Sequence, residues 1–126
     1  MSTNYDEWSD LQVVTEVAKR RGLLVMPEDG SGYSHDYRAK YPSTLWVAKH
    51  EFGNQIEPWE QFNCVKCLED AWSIIVESKI SIQSQGSNSN LWCAHWHNND
   101  EVKHVSPNPL RAASICFLKL TDATND

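Results

Sequence analysis

A stretch in the middle of the chain changes from helical to strand-like spacing and reads Glu69-Asp70-Ala71-Trp72-Ser73-Ile74-Ile75-Val76-Glu77-Ser78-Lys79-Ile80-Ser81-Ile82. Up to Val76, apolar side chains recur at the three- and four-residue spacing of a helix. From residue 79 to residue 83, apolar and polar residues alternate instead, as they do in a half-buried strand. The stretch therefore predicts a helix that leads directly into a strand. The helix face expected to pack on the core comprises Leu68, Ala71, Trp72, Ile75 and Val76.

A second helix is predicted near the carboxyl end of the chain. Asn108 precedes Pro109, and an apolar segment with helical spacing follows. Asn is a preferred N-cap residue, and Pro suits the first helical position because its missing N–H would have no partner there. The core face of this helix is expected to comprise Leu110, Ala113, Phe117 and Leu120, with Cys116 alongside.

Strand-like sequence lies between these two helices and predicts a hairpin. Residues 91–97 alternate, and residues 98–100, Asn-Asn-Asp, are typical of a turn. Residues 102–105 then predict the returning strand. One face of the first strand carries Trp92, Ala94 and Trp96, and the other carries Leu91, Cys93, His95 and His97.

A further helix is predicted close to the amino terminus. Ser9 and Gln12 have the spacing of a capping box, in which each side chain bonds the backbone N–H of the other residue. Gly22 is suited to end the helix because glycine adopts a positive φ without strain. Residues 1–7 are polar, and we expect them to be loosely ordered.

The segments that follow this helix are shorter and less regular. Residues 23–26 and 44–50 have the composition of strands. Residues 27–43 predict a long loop, and residues 51–62 predict irregular structure anchored by Trp59 and Phe62.

Together these elements predict a single α+β domain, in which an antiparallel β-sheet packs against about three α-helices. A chain of 126 residues is long enough for one hydrophobic core and too short for two. We therefore expect one domain over residues 1–126, with an ordered core at about residues 8–122.

Charge and composition restrict the compartment and the partners. Seventeen acidic residues against eleven basic ones give a net charge of −6, which repels a phosphate backbone, so nucleic acid is not an expected partner. No apolar run is long enough to span a membrane, and the first residues lack the pattern of a signal peptide. We expect a cytoplasmic protein whose four cysteines remain thiols.

Cysteine and histidine residues raise the question of a metal site. Cys64 and Cys67 have CxxC spacing, and Cys93, His95 and His97 share one predicted strand face, so a tetrahedral zinc site is conceivable. The alternative is that Cys67 opens a helix as a small buried residue and that Cys93 faces the core. Because a single CxxC is a weak signal, we predict no metal and no cofactor.

One segment, residues 33–41, combines cations with aromatic rings. Arginine can hold phosphate with two parallel hydrogen bonds, and a tyrosine ring can stack on a base. The alternative is a solvated loop whose rings pack on the edge of the domain. The predicted ligand-binding residues are Tyr37, Arg38, Lys40, Tyr41, Trp92, His95, Trp96 and Arg111.

No group of residues points to catalysis. The sequence fixes no nucleophile or carboxylate near His95 or His97, and Arg111 within a helix is more typical of an ion pair than of an anion site. We therefore predict that the protein is not an enzyme and has no catalytic residue.

Two features of the sequence in combination resemble a known family. The Ala-Trp-x-Ile-Ile-Val helix of residues 71–76 is followed by a tryptophan-bearing strand and then by residues 108–113, Asn-Pro-Leu-Arg-Ala-Ala. In this combination the chain resembles the NinX family of small bacteriophage proteins, most strongly over residues 67–120. The opening Ser9-Asp10-Leu11 also resembles the start of the family. Residues 33–41 have no counterpart in the family pattern.

The resemblance implies a phage accessory protein that acts in the cytoplasm of the bacterial host. It does not identify any residue of this chain as catalytic. Of two functions compatible with it, we predict the first, and the second is the alternative. In the first, the protein counters host defence by sequestering a nucleotide-like immune signal, and a homo-oligomer is expected because repeated sites raise capacity. In the second, it inhibits or redirects a host protein through an exposed surface rich in tryptophan. The chain has six tryptophan residues.

Overall fold

The computed structural model describes residues 4–25, 46–48, 51–52, 55–56, 60–87, 89–96 and 99–124. These residues form three α-helices, which we label α1 (Asp10–Arg20), α2 (Leu68–Ser78) and α3 (Pro109–Thr124). A 3-10 turn, Tyr5–Glu7, precedes α1. The strands are β1 (Leu24–Val25), β2 (Trp46–Ala48), β3 (Glu51–Phe52), β4 (Gln55–Ile56), β5 (Glu60–Gln61), β6 (Ile80–Ser84), β7 (Trp92–Trp96) and β8 (Asn99–Ser106).

Every strand pairing within the described residues is antiparallel. The main sheet has the order β6-β7-β8, while β1-β2-β5 and β3-β4 form two smaller sheets. The predicted α+β domain with an antiparallel sheet and three helices is therefore confirmed. The prediction of irregular structure over residues 51–62 is wrong at β3, β4 and β5, whose two-residue lengths leave too short a pattern to recognise.

Helix α3 forms the centre of the core. Residues 112–118 are all buried, so the helix is covered on every side over two turns. It packs against all three strands of the main sheet and against α1 and α2. Phe117 is 6% exposed, as the sequence predicts, whereas Leu110 and Leu120 lie only partly buried at the ends of the helix. Among the described helices, none is both long and apolar enough to cross a bilayer.

Local hydrogen bonds fix both ends of α1. The Ser9 Oγ accepts from the Gln12 N–H at 3.1 Å, and the Gln12 Oε1 accepts from the Ser9 N–H at 2.7 Å, which is the predicted capping box. At the other end Gly22 has φ of 79°, and its N–H donates to the Lys19 carbonyl. The N–H of Leu23 donates to the Ala18 carbonyl at 3.0 Å, which completes a Schellman motif.

The predicted cap of α3 is also present and has a second role. The Asn108 Oδ1 accepts from the Leu110 N–H at 2.9 Å, which satisfies one of the free donors of the first turn. Its Nδ2 donates to the Val65 carbonyl at 2.7 Å. Asn108 therefore joins the start of α3 to the turn that precedes α2.

The amino-terminal turn, Tyr5–Glu7, was predicted to be loosely ordered, and the structure places it against the core instead. Tyr5 is 2% exposed, and its ring contacts the Trp8 ring edge to face at a centroid distance of 4.8 Å. The Tyr5 hydroxyl donates to the carboxylate of Asp122 near the end of α3. The turn is part of the core because residues more than one hundred positions away hold it in place, a contact that local composition does not predict.

Lys79 connects α2 to β6 in a left-handed conformation, with φ of 56° and ψ of 45°. A side chain in this region costs roughly 1–2 kcal/mol, and glycine avoids that cost. We expect Lys79→Gly to raise the free energy of unfolding by about 0.5–1 kcal/mol in urea melts, since glycine's greater freedom in the unfolded chain offsets part of the gain. As a matched control, Ser78→Gly inside the last helical turn should lower it. A loss of stability in Lys79→Gly would contradict the assigned backbone.

Candidate functional site

An exposed row of large apolar side chains runs along α2. Leu68, Trp72 and Val76 are 61%, 58% and 54% exposed. Because they are spaced four residues apart, they lie in one line on the helix surface. We call these three side chains the α2 ridge. Single exposed apolar residues are common on protein surfaces, but a contiguous row that includes a tryptophan is typical of an interaction site.

The α2 ridge corrects the predicted core face of this helix. Ala71 and Ile75 are buried as predicted, and Ile74 is buried with them at 1% exposure. The placement of Leu68, Trp72 and Val76 in the core is wrong. Apolar residues cover an arc of about 200° around α2 at 100° per residue, which is wider than the single face that the core covers. The width of this arc is the feature of the sequence that indicates an apolar face left outside the core.

Charged groups flank the α2 ridge at its two ends but do not interrupt it. Lys66 and Glu69 are exposed at the amino end, and Glu77 and Lys79 are exposed at the carboxyl end. The carboxylate of Glu77 forms an ion pair with Arg21 at the end of α1. The ridge is thus an uncharged row on a chain whose net charge is −6.

Apolar side chains are also exposed at one end of the main sheet. Leu91 and Trp92 are each 37% exposed, and Val105 is 40% exposed. Trp92 pairs with Ser84 of β6 and Ser106 of β8, so its neighbours on both sides are small. These three side chains are less exposed than those of the α2 ridge.

The predicted ligand-binding residues of β7 do not form one cluster. Trp92 and Trp96 lie four residues apart, about 13 Å along a strand. His95 points to the opposite face, where its cross-strand neighbours are Ser81 and Lys103. The other predicted ligand residues, Tyr37, Arg38, Lys40 and Tyr41, lie outside the described residues.

Arg111, another predicted ligand-binding residue, makes hydrogen bonds and an ion pair within the domain. Its Nη1 lies 2.6 Å from the Asp10 Oδ1, and its Nη2 donates to the carbonyls of Trp8 at 2.6 Å and Tyr5 at 3.2 Å. The side chain is only 15% exposed. Arg111 therefore ties the amino-terminal turn and the start of α1 to α3, and any role in ligand binding stays a prediction.

A cleft of about 240 Å³ lies between the end of α1, α2 and the β1-β2-β5 sheet. Its walls include Arg21, Phe62, Glu69 and Asp70. Among the described residues that line the cleft, Arg21 is the one cation, and it already pairs with Glu77. The carboxylates of Glu69 and Asp70 therefore make this part of the cleft poorly suited to a phosphate-bearing ligand.

The cysteines considered for zinc have different environments. Cys64 is fully buried, and burial raises the pKa of its thiol to about 11. Cys67 occupies the N-cap position of α2, so the predicted helix does begin directly after it. Metal ligation requires the thiolate, which burial of Cys64 disfavours. Within the described part of the chain no three Cys, His, Asp or Glu side chains are grouped closely enough to hold a metal ion.

His104 is a buried titratable residue that the sequence did not reveal. It is 6% exposed, and its Nε2 lies 3.0 Å from the Asp6 Oδ1 without the alignment of a hydrogen bond. Burial lowers the pKa of His104, and the positive charges of Lys119 and Arg111 add to this effect, while the charge of Asp6 opposes it. The environment of His104 therefore favours the neutral form of the imidazole.

This environment makes stability depend on pH below the ordinary histidine pKa of 6.5. As pH falls through that value, the unfolded chain takes up the proton before the folded protein does, so the free energy of unfolding decreases. We expect urea melts at pH 7.5 and 5.5 to show a larger loss for the wild type than for His104→Gln. Equal losses in the two proteins would show that His104 does not titrate abnormally.

The comparison with known families identifies one match that covers nearly the whole chain. The model of the family described as Bacteriophage P22, NinX matches residues 4–120. The matched range includes α1, α2, the main sheet and most of α3. No curated protein and no solved structure matches the chain.

Proposed function

This chain belongs to the bacteriophage P22 NinX family, and from that premise we propose that it is a non-enzymatic accessory protein that binds a host protein through the α2 ridge. In this proposal, the bound protein is inhibited or redirected, and no chemical step is required.

Exposure of the α2 ridge is the observation that carries the proposal. Burying a large apolar side chain is worth about 1.5–3 kcal/mol, so covering Leu68, Trp72 and Val76 gives a partner several kcal/mol of binding free energy. Tryptophan is also over-represented among the residues that dominate protein interfaces. Ala71, Ile74 and Ile75 on the neighbouring helix face already anchor α2 to the core, so the ridge is not needed for that purpose.

A site-specific crosslinking experiment in host cells tests the proposal. The photoreactive residue p-benzoylphenylalanine is placed at position 76, which lies on the ridge and leaves Trp72 intact, and in a matched control at the exposed position 83 on β6. We expect a defined host protein to be crosslinked from position 76 and not from position 83. The purified partner should then bind Trp72→Ala at least about 30-fold more weakly than wild type, which is the effect of losing about 2 kcal/mol.

Trp92→Ala is the matched control for that affinity measurement, since Trp92 is a second exposed tryptophan outside the ridge. We expect it to change the affinity by less than about 3-fold, as peripheral residues do. A partner that binds Trp72→Ala as tightly as wild type would overturn the proposal, as would the same crosslinked proteins from positions 76 and 83.

Sequestration of a nucleotide-like signal is the second candidate function. It is supported by the cations and tyrosines of residues 37–41 in an otherwise acidic chain. Calorimetry against cyclic and linear nucleotides should then show binding below about 100 μM, weakened at least 10-fold in Arg38→Ala, since an arginine–phosphate contact is worth about 1.5–3 kcal/mol. Binding that Arg38→Ala leaves unchanged would remove this candidate.

A further inference from the structure

We propose that the α2 ridge also pairs with the same ridge of a second copy of this chain, forming a weak two-fold dimer that shields the ridge until a host protein binds. The inference rests on the proposed function, because it assigns a regulator to the same surface. A second copy is a suitable occupant for three reasons: the symmetry of the ridge, its charge pattern and its size.

The ridge is self-complementary about its central residue. Leu68 and Val76 each lie four residues from Trp72, so a two-fold axis at Trp72 places Leu68 of one copy against Val76 of the other. A two-fold interface needs the same patch on both copies, and this spacing provides it. Rows of residues four apart are also the ridges that interdigitate in the commonest helix packing, at a crossing angle of about −50°.

Charge favours this surface and this orientation. Two copies with a net charge of −6 each repel one another, so they associate best through a surface whose centre carries no acidic residue. The ridge meets this condition, because the charged residues beside it lie only at its two ends. Each end of the ridge has one lysine and one glutamate. Antiparallel pairing brings the end with Lys66 and Glu69 to the end with Glu77 and Lys79, whereas parallel pairing would align like charges.

Size determines how strong such a dimer is. Helix α2 has eleven residues and is therefore about 16 Å long. A stable interface buries about 800 Å² on each partner, which is more than one face of so short a helix offers. We therefore expect a dissociation constant of roughly 10–100 μM, weak enough for a host protein to displace the second copy.

Sedimentation equilibrium on the full chain at 5–500 μM tests the inference. We expect a monomer–dimer equilibrium for the wild type. Trp72→Ala should weaken it at least 30-fold, and Trp92→Ala should leave it within 2-fold. Thermal melts of each variant establish that it is folded. A wild type that is monomeric at 500 μM, or a dimer that Trp72→Ala does not weaken, overturns the proposal.

A charge exchange tests the orientation separately. Glu69→Lys and Lys79→Glu should each weaken the dimer about 3-fold, because an exposed ion pair contributes modestly. The double variant should return the dissociation constant to within 2-fold of wild type, since both charges are exchanged. Failure of this rescue overturns the antiparallel arrangement. A Trp72-dependent dimer without a Trp72-dependent host partner would refute the proposed function alone, and the reverse result would refute this inference alone.

Discussion

Phe117→Ala is expected to lower the free energy of unfolding by about 3–5 kcal/mol, whereas Trp72→Ala should lower it by less than about 1 kcal/mol. Phe117 is 6% exposed within the central helix, and removing a buried aromatic ring leaves a cavity that the surroundings fill only in part. Trp72 is 58% exposed, so its ring loses few packing contacts on truncation. Urea melts of both variants, at a protein concentration where the wild type is monomeric, measure the difference.

Ring size cannot explain the expected difference, because Trp72→Ala removes a larger ring than Phe117→Ala does. Both substitutions remove a large ring from the middle of an α-helix and leave the same alanine. Similar losses of 3 kcal/mol or more in both variants would mean that Trp72 packs inside the domain. The α2 ridge would then not be a surface available to a partner.

Arg111→Ala is expected to lower the free energy of unfolding by about 2–4 kcal/mol. The substitution removes donors from the Tyr5 and Trp8 carbonyls and leaves Asp10 without its ion-pair partner. Leaving buried acceptors unsatisfied costs about 1–3 kcal/mol for each group, although water can reach those that are partly exposed. Arg111→Lys should restore only part of the loss, because an ammonium group lacks the planar fork that serves three acceptors.

Asp10→Ala separates the two parts of this effect. The Asp10 side chain is 50% exposed, so its pair with Arg111 contributes little and the substitution should cost less than about 1 kcal/mol. Hydrogen exchange of the Tyr5–Glu7 turn should quicken in Arg111→Ala and stay slow in Asp10→Ala. An Arg111→Ala protein with wild-type stability and exchange would show that the contacts to the two carbonyls do not hold the turn.

Elements whose signals are local could be predicted from the sequence. The capping box at Ser9, the Schellman glycine Gly22 and the Asn108–Pro109 start of α3 each depend on residues within one turn of the chain. The alternation of residues 91–97 likewise marked β7, whose side-chain period is intrinsic to a strand. The fold class followed from these elements.

Features that depend on distant residues could not be predicted. Tyr5 is buried because Asp122 and Arg111 hold it, and His104 is buried because the amino-terminal turn covers it. The buried face of α2 was ambiguous, since periodicity shows that residues share a face but not which part of a wide apolar arc the core covers. The candidate site belongs to this second class, because the ridge consists of the part of that arc left uncovered.

Solvent exposure of the Trp72 indole in the monomer can be measured directly and decides whether the α2 ridge is available to a partner. The six indole N–H resonances can be assigned in the NMR spectrum by single Trp→Phe variants, and a soluble paramagnetic agent broadens those that face solvent. At a concentration where the protein is monomeric, we expect the Trp72 resonance to be broadened at least as strongly as that of Trp92 and far more than that of the partly buried Trp96. A Trp72 resonance protected to the same degree as Trp96 would mean that the chain covers its own ridge, and the ridge could then not bind a partner.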